Sequence, residues 1–215
     1  MDANTVLCKV KEIKQSFRLL MDGALAQSMR EKGVDYKLNW GATLPRLREM
    51  AEEIKSEEGT TTDDCYHLAI ALWKEDVREC KILATMLMPA EQMLPEVVDI
   101  WMEQIPSQEI AEQLAFNLWQ HLPYAPEKAY QWIASEPEYY ELCGFHVLSR
   151  LFMNGQEPNE RGINEFIDQA LSGIQGPFPS VRKAAFQSMQ HFAELGLVYE
   201  RMARSALKTV GIELF

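Results

Sequence analysis

Apolar residues recur at intervals of three and four along the whole chain, and that period belongs to the α-helix. Val6, Val10, Ile13, Phe17, Leu20 and Ala24 form one such stripe and predict a first helix ending near Gly33. Thr43-Leu44-Pro45 opens a second helix, with a capping residue beside a first-turn proline. Thr62 or Asp63 is expected to cap a third, with Cys65, Leu68, Ala69 and Leu72 inward, and Asp76 a fourth. Pro95 and Ser107 open the next two, the second carrying Ile110, Leu114, Leu118 and His121. Pro126 and Pro137 sit in further first turns, and three stripes follow: one from Ile163 to Ala170, one from Val181 to Phe192, and a last one of Met202, Ala203, Ala206, Leu207 and Val210. The pattern gives about eleven helices, and no alternating strand pattern or Asn-Gly hairpin interrupts it.

Short connections place successive helices antiparallel. A weak internal repeat agrees with this. Leu68-Ala69-Ile70-Ala71-Leu72-Trp73 returns as Leu114-Ala115-Phe116-Asn117-Leu118-Trp119, 46 residues later. That spacing lies near the roughly 40–47 residues of HEAT-type helical repeats. The expected fold is therefore all-α: a HEAT-like (ARM-type) stack of antiparallel helix pairs forming a curved superhelix, with residues 1–215 as one domain. A compact, non-repeating helical domain is the alternative.

Charge narrows the choice of partner. The net charge is −11, which disfavours DNA, because Lys and Arg contacts to phosphate supply most non-specific affinity. The charge is uneven: residues 1–81 carry 13 basic and 15 acidic side chains, residues 82–215 carry 8 and 17. No run of about 18 uncharged apolar residues offers a membrane span. The first residues lack a basic segment followed by an apolar run, so cytoplasm is the expected compartment. Cys8, Cys65, Cys80 and Cys143 are far apart and each falls on an apolar stripe, so buried thiols are expected rather than a disulfide framework.

Motifs for chemistry are sparse. There is no Gly-rich phosphate loop, His-Glu-x-x-His pair, EF-hand spacing or Gly-x-Ser-x-Gly elbow. No cofactor is implied, and Cys65, His67 and Cys80 make only a thin case for a metal. Glu109 and Glu112 share one helix face and suit either acid–base work or a solvated first turn. Trp73, Trp101, Trp119 and Trp132 would line a groove for bases or, as their leucine neighbours suggest, pack between helices.

The segment Leu68-Ala69-Ile70-Ala71-Leu72-Trp73-Lys74-Glu75-Asp76-Val77-Arg78-Glu79-Cys80-Lys81-Ile82-Leu83-Ala84 resembles the signature of the AlkD-like DNA alkylation repair family. A Leu-Trp ends one helix, a short polar turn with Arg-Glu follows, and an apolar helix comes next. Trp132-Ile133-Ala134-Ser135 and Val181-Arg182-Lys183-Ala184-Ala185 fit as well, and the likeness runs from about Gly33 to Gly196. The resemblance implies a HEAT-like fold with a concave DNA-binding face. Active members release cationic N3- and N7-alkylated purines, whose departure needs stabilisation of positive charge on the sugar rather than a strong acid. In those members a Trp-Asp-x-x-Asp run, an Arg on a later helix and cleft tryptophans make the site.

Aligned on that pattern, this chain departs from it. Gln108 stands at the cleft Trp and Glu112 at the key Asp, with Glu109 inside the same run. The Arg position falls on Leu142 or Cys143, unless a one-turn shift brings in Arg150. Gln187 stands at a second cleft Trp, and Lys183 is a candidate phosphate contact. Two readings follow. The first is a monomeric, non-catalytic binding protein that uses its concave face for a basic protein or peptide, with DNA a less favoured partner. The alternative is a DNA N-glycosylase in which Glu112 stabilises the charge. A groove ringed by Glu96, Glu103, Glu109, Glu112 and Glu141 would favour the first. A basic rim of Lys9, Lys14, Arg18, Arg46, Arg48, Arg78 and Lys81 would favour DNA.

Overall fold

The computed structural model describes residues 2–213 apart from 33 and 35. Among them are twelve α-helices: α1 (Ala3–Ser16), α2 (Gly23–Glu31), α3 (Leu44–Ser56), α4 (Thr62–Trp73), α5 (Arg78–Leu87), α6 (Pro95–Glu103), α7 (Gln108–Asn117), α8 (Ala125–Ile133), α9 (Glu138–Met153), α10 (Glu160–Gln175), α11 (Pro179–Glu194) and α12 (Leu197–Thr209). No strand occurs among the described residues; an isolated parallel bridge joins Leu38 to Val77. The chain divides into two compact units, residues 1–94 and 95–215.

Eleven helices become twelve because the first expected helix is two. A 3-10 turn at Phe17–Leu20 ends α1, and the Asp22 side chain caps α2 by accepting from the Leu25 N–H at 2.9 Å. Asp22 is also held from outside, since its own N–H donates to the Trp40 carbonyl at 2.9 Å. Here Gly41 is required: its φ is +75°, and a Cβ would lie 2.2 Å from the Asp22 oxygen. Gly33, the expected stop, lies outside the described residues.

Other boundaries move by a residue or a turn. α4 is capped by Thr61, not Thr62 or Asp63, in a reciprocal box with Asp64. Val77 precedes α5 in place of Asp76. The Ser107-capped helix stops at Asn117, and Trp119–His121 form a 3-10 turn. Cys8 is exposed, against expectation, because it lies about 160° round the helix from the Val6, Val10, Ile13 stripe. Met202 is also turned out, with 38% of its surface exposed, while Ala203 and Leu207 face inward.

In the first unit α5 packs on α3 and α4, and α1 on α4. In the second, α7, α9 and α11 form one layer and α8 and α10 another, with α12 closing against α11 and α10. Pairs along the first layer fix its register. Glu138 meets Ser180, Cys143 meets Ala111, Arg150 meets Phe116 and Ser149 meets His191. Residue numbers rise together in every helix, so α7, α9 and α11 run parallel. α8 lies close against α9 because Gly144 has no Cβ; one there would come within 2.8 Å of the Ala129 oxygen and the Ile133 nitrogen. Trp73, Trp101, Trp119 and Trp132 are all buried, and the rings of Trp119 and Trp132 pack at 4.8 Å between centroids. The tryptophans therefore hold helices together, with almost no ring surface open to solvent.

Candidate functional site

The α7–α9–α11 layer collects the candidate site residues: Gln108, Glu109 and Glu112 on α7, Leu142, Cys143 and Arg150 on α9, and Lys183 and Gln187 on α11. On α7 the Gln108 side-chain amide donates to Glu112 Oε1 at 2.8 Å, one turn along. Gln108 is exposed, while Glu109 and Glu112 are half-buried. Across the layer Leu142 and Cys143 are buried. The Cys143 thiol donates to the Ala111 carbonyl at 3.5 Å, and burial, with Glu112 nearby, pushes its pKa well up. This thiol stays protonated and carries no positive charge. Leu142 and Cys143, both expected at the cation position, are closed in by packing, and Arg150 lies two turns farther along α9.

Farther along, α9 presents two side chains that converge on one ring. Arg150 lies 4.6 Å over the Phe116 ring, and His146 meets the same ring edge-on at 4.9 Å. Burial, Arg150 and Lys183 hold the His146 pKa down at about 4, so its imidazole is neutral at ordinary pH. Lys183 and Gln187 are exposed on α11. Glu141, half-buried on α9, has its carboxyl pKa raised by burial. On α9 the carboxylates Glu138 and Glu141 lie in the first turn and Arg150 in the last, while α11 carries Arg182 and Lys183 near its start. Ser149 and His191 make a 2.6 Å hydrogen bond between α9 and α11. Ser149 is buried within a helix, so the contact ties two helices together.

Sequence alone missed Phe116 and His146. The spacing Cys143, His146, Arg150 is that of one helix face and marks His146 as a neighbour of both. Nothing in the sequence says that Phe116 lies opposite.

Arg78, expected in a basic rim, is instead 1% exposed, and Glu79 beside it is fully buried. Arg78 Nη1 donates to the Ala42 carbonyl at 2.8 Å and lies 3.3 Å from Glu79 Oε1. The same Oε1 accepts the N–H groups of Trp40 and Ala42, at 3.1 and 3.2 Å. The Arg-Glu of the signature thus clamps the segment before α3 onto α5. Other members of that rim are also engaged. Lys9 pairs with Glu57 and Lys14 with Glu75, each at 2.5 Å, and Arg46 pairs with Glu49. Lys81 donates to the Trp73 carbonyl at 2.8 Å and sits 4.5 Å from the Trp73 ring centroid. Arg18 and Arg48 are exposed. Among the described residues no three His, Cys, Asp or Glu side chains converge on a metal position, and no helix is long and apolar enough to cross a membrane.

Paired helices in two layers, with one layer running parallel, define an all-α protein of the helical-repeat class. The family described as DNA alkylation repair enzyme matches residues 13–160, and the chain belongs to that family. A solved structure from "a new family of proteins related to the HEAT-like repeat DNA glycosylases with affinity for branched DNA structures" superposes with a TM-score of 0.79. Identity is 17%, over 94% of this chain and 83% of that one, so the likeness is one of fold: a HEAT-like helical stack. Comparison with curated proteins gives no match.

Proposed function

We propose that this family member is a non-catalytic binding protein, its two units working as one domain, and that the α7–α9–α11 layer takes a basic segment of a partner protein. One observation supports the reading: Cys143, which with Leu142 stands where the family resemblance expects a cation, is buried and neutral, near a carboxylate bonded to Gln108. Glu109, Glu112 and Glu141 line the same layer, and a cationic segment complements them. The test is base release from duplex DNA carrying N7-methylguanine. The expected rate equals that of buffer alone, for the parent and for Glu112→Gln alike. Faster release by the parent that disappears in Glu112→Gln would establish the glycosylase instead.

DNA binding without catalysis is the second reading. Arg150 and Lys183 lie near each other on this layer, close enough that both act on His146, and the structural neighbour belongs to proteins with affinity for branched DNA. A salt series with a four-way junction, a duplex containing an abasic-site analogue and an intact duplex separates the two. Binding that weakens steeply with salt and is lost in Arg150→Gln/Lys183→Gln supports DNA. No binding at low salt leaves the protein partner.

A further inference from the structure

α9 has a second working side. While Cys143, His146 and Arg150 face α7 and α11, Leu148, Leu151 and Phe152 floor a cavity of about 430 Å³ between α8, α9 and the start of α10. These three side chains are buried in the core. Pro126 and Tyr130 of α8 and Pro158 of the loop form the walls. The walls are fixed by hydrogen bonds. The Tyr130 hydroxyl donates to the Gly162 carbonyl at 3.1 Å, and the Asn159 side chain caps α10 by accepting the Gly162 N–H at 2.8 Å. A cavity held this way exists before any ligand arrives, so little ordering opposes binding.

The rim is charged on one side of the balance. Glu127, Glu157 and Glu165 surround the mouth, and Arg161 lines it too. Glu157 is held in position by the Tyr199 hydroxyl, which donates to its Oε2 at 2.9 Å. An apolar floor under an acidic rim selects a ligand with an apolar side chain next to positive charge. We infer that this cavity is a docking site for a basic peptide segment, one apolar anchor (Leu, Met or Phe) entering between α8 and α10 while flanking Lys or Arg residues meet Glu127, Glu157 and Glu165. The site lies on the other side of α9 from the layer discussed above and does not depend on that reading.

The probe is a fluorescein-labelled peptide, Lys-Lys-Leu-Phe-Lys-Lys, followed by anisotropy and by methyl NMR of the full chain. The parent is expected to bind with a Kd on the order of 10–100 μM, in the range of small transient contacts. Replacing Leu-Phe by Ala-Ala is expected to weaken binding at least 10-fold, and so is Glu127→Lys/Glu157→Lys. Both carboxylates are exposed, so the double variant keeps its thermal midpoint. The Leu148 and Leu151 methyl signals are expected to shift with the same Kd. Equal binding of the Ala-Ala peptide, full binding by the double variant, unmoved Leu148 and Leu151 methyls, or no binding at millimolar peptide would each overturn the inference.

Discussion

Arg78→Met is the substitution that best tests the structural account. Arg78 is 1% exposed, and its guanidinium lies beside Glu79, which is fully buried. Removing the cation leaves the Glu79 carboxylate without its counter-charge, although it keeps the N–H groups of Trp40 and Ala42. Breaking a buried pair on one side costs about 3–5 kcal/mol. With a urea slope of about 2 kcal/mol/M, the midpoint falls by about 1.5–2.5 M. The reporter is the loss of amide signals from α3, α4 and α5 across a urea series, which follows this unit alone. A second variant isolates the cause. Glu79→Gln keeps an oxygen for the two N–H groups and removes the charge, so Arg78→Met/Glu79→Gln is expected to regain about 1–2 kcal/mol over Arg78→Met. An exposed DNA-contacting arginine would cost no more than about 0.5 kcal/mol on removal. A midpoint shift below about 0.3 M, or a double variant no more stable than the single one, would refute the clamp.

Gly144→Ala is expected to destabilise by about 1–3 kcal/mol, despite the gain of roughly 1 kcal/mol in helix propensity, and thermal unfolding reads the sign. The new Cβ would meet Ile133 Cγ2 at 2.7 Å and backbone atoms of α8 at 2.8 Å. His146 gives a pH dependence: its folded pKa of about 4 lies below the 6.5 of an ordinary histidine, so its contribution is complete above 6.5 and is lost as pH falls toward 4. The loss is at most about 3 kcal/mol, and His146→Gln should flatten the stability profile across that window. Thr61→Ala removes the hydroxyl that accepts the Asp64 N–H at 3.2 Å, and is expected to cost about 1 kcal/mol in denaturant unfolding.

The helices were legible because their cause is local. Apolar spacing, Ser107 at one cap and prolines at first turns act within a few residues, so ten of the twelve helices match one expected stripe each. The remaining two arose from one stripe, because Asp22 is held by Trp40, 18 residues away, and no local signal announces that bond. The candidate site was half legible. The family pattern named Gln108, Glu112, Cys143 and Arg150, and their parallel helices bring them into one layer. His146 and Phe116 became visible only when α7 and α9 were laid side by side.

Periodicity tells which face of a helix is apolar, and it set the all-α class and the paired-helix order without help. It cannot tell which partner covers that face, because packing joins residues far apart in the chain. Arg78 shows the difference most clearly. In sequence it is a cation in a polar turn; in the fold it is buried, because the segment at Leu38–Ala42 brings backbone carbonyl and N–H groups that make burying an Arg-Glu pair tolerable. The sequence alone determined that the chain is a helical stack of this family. Only the tertiary structure decided which charges face solvent and which hold the stack together.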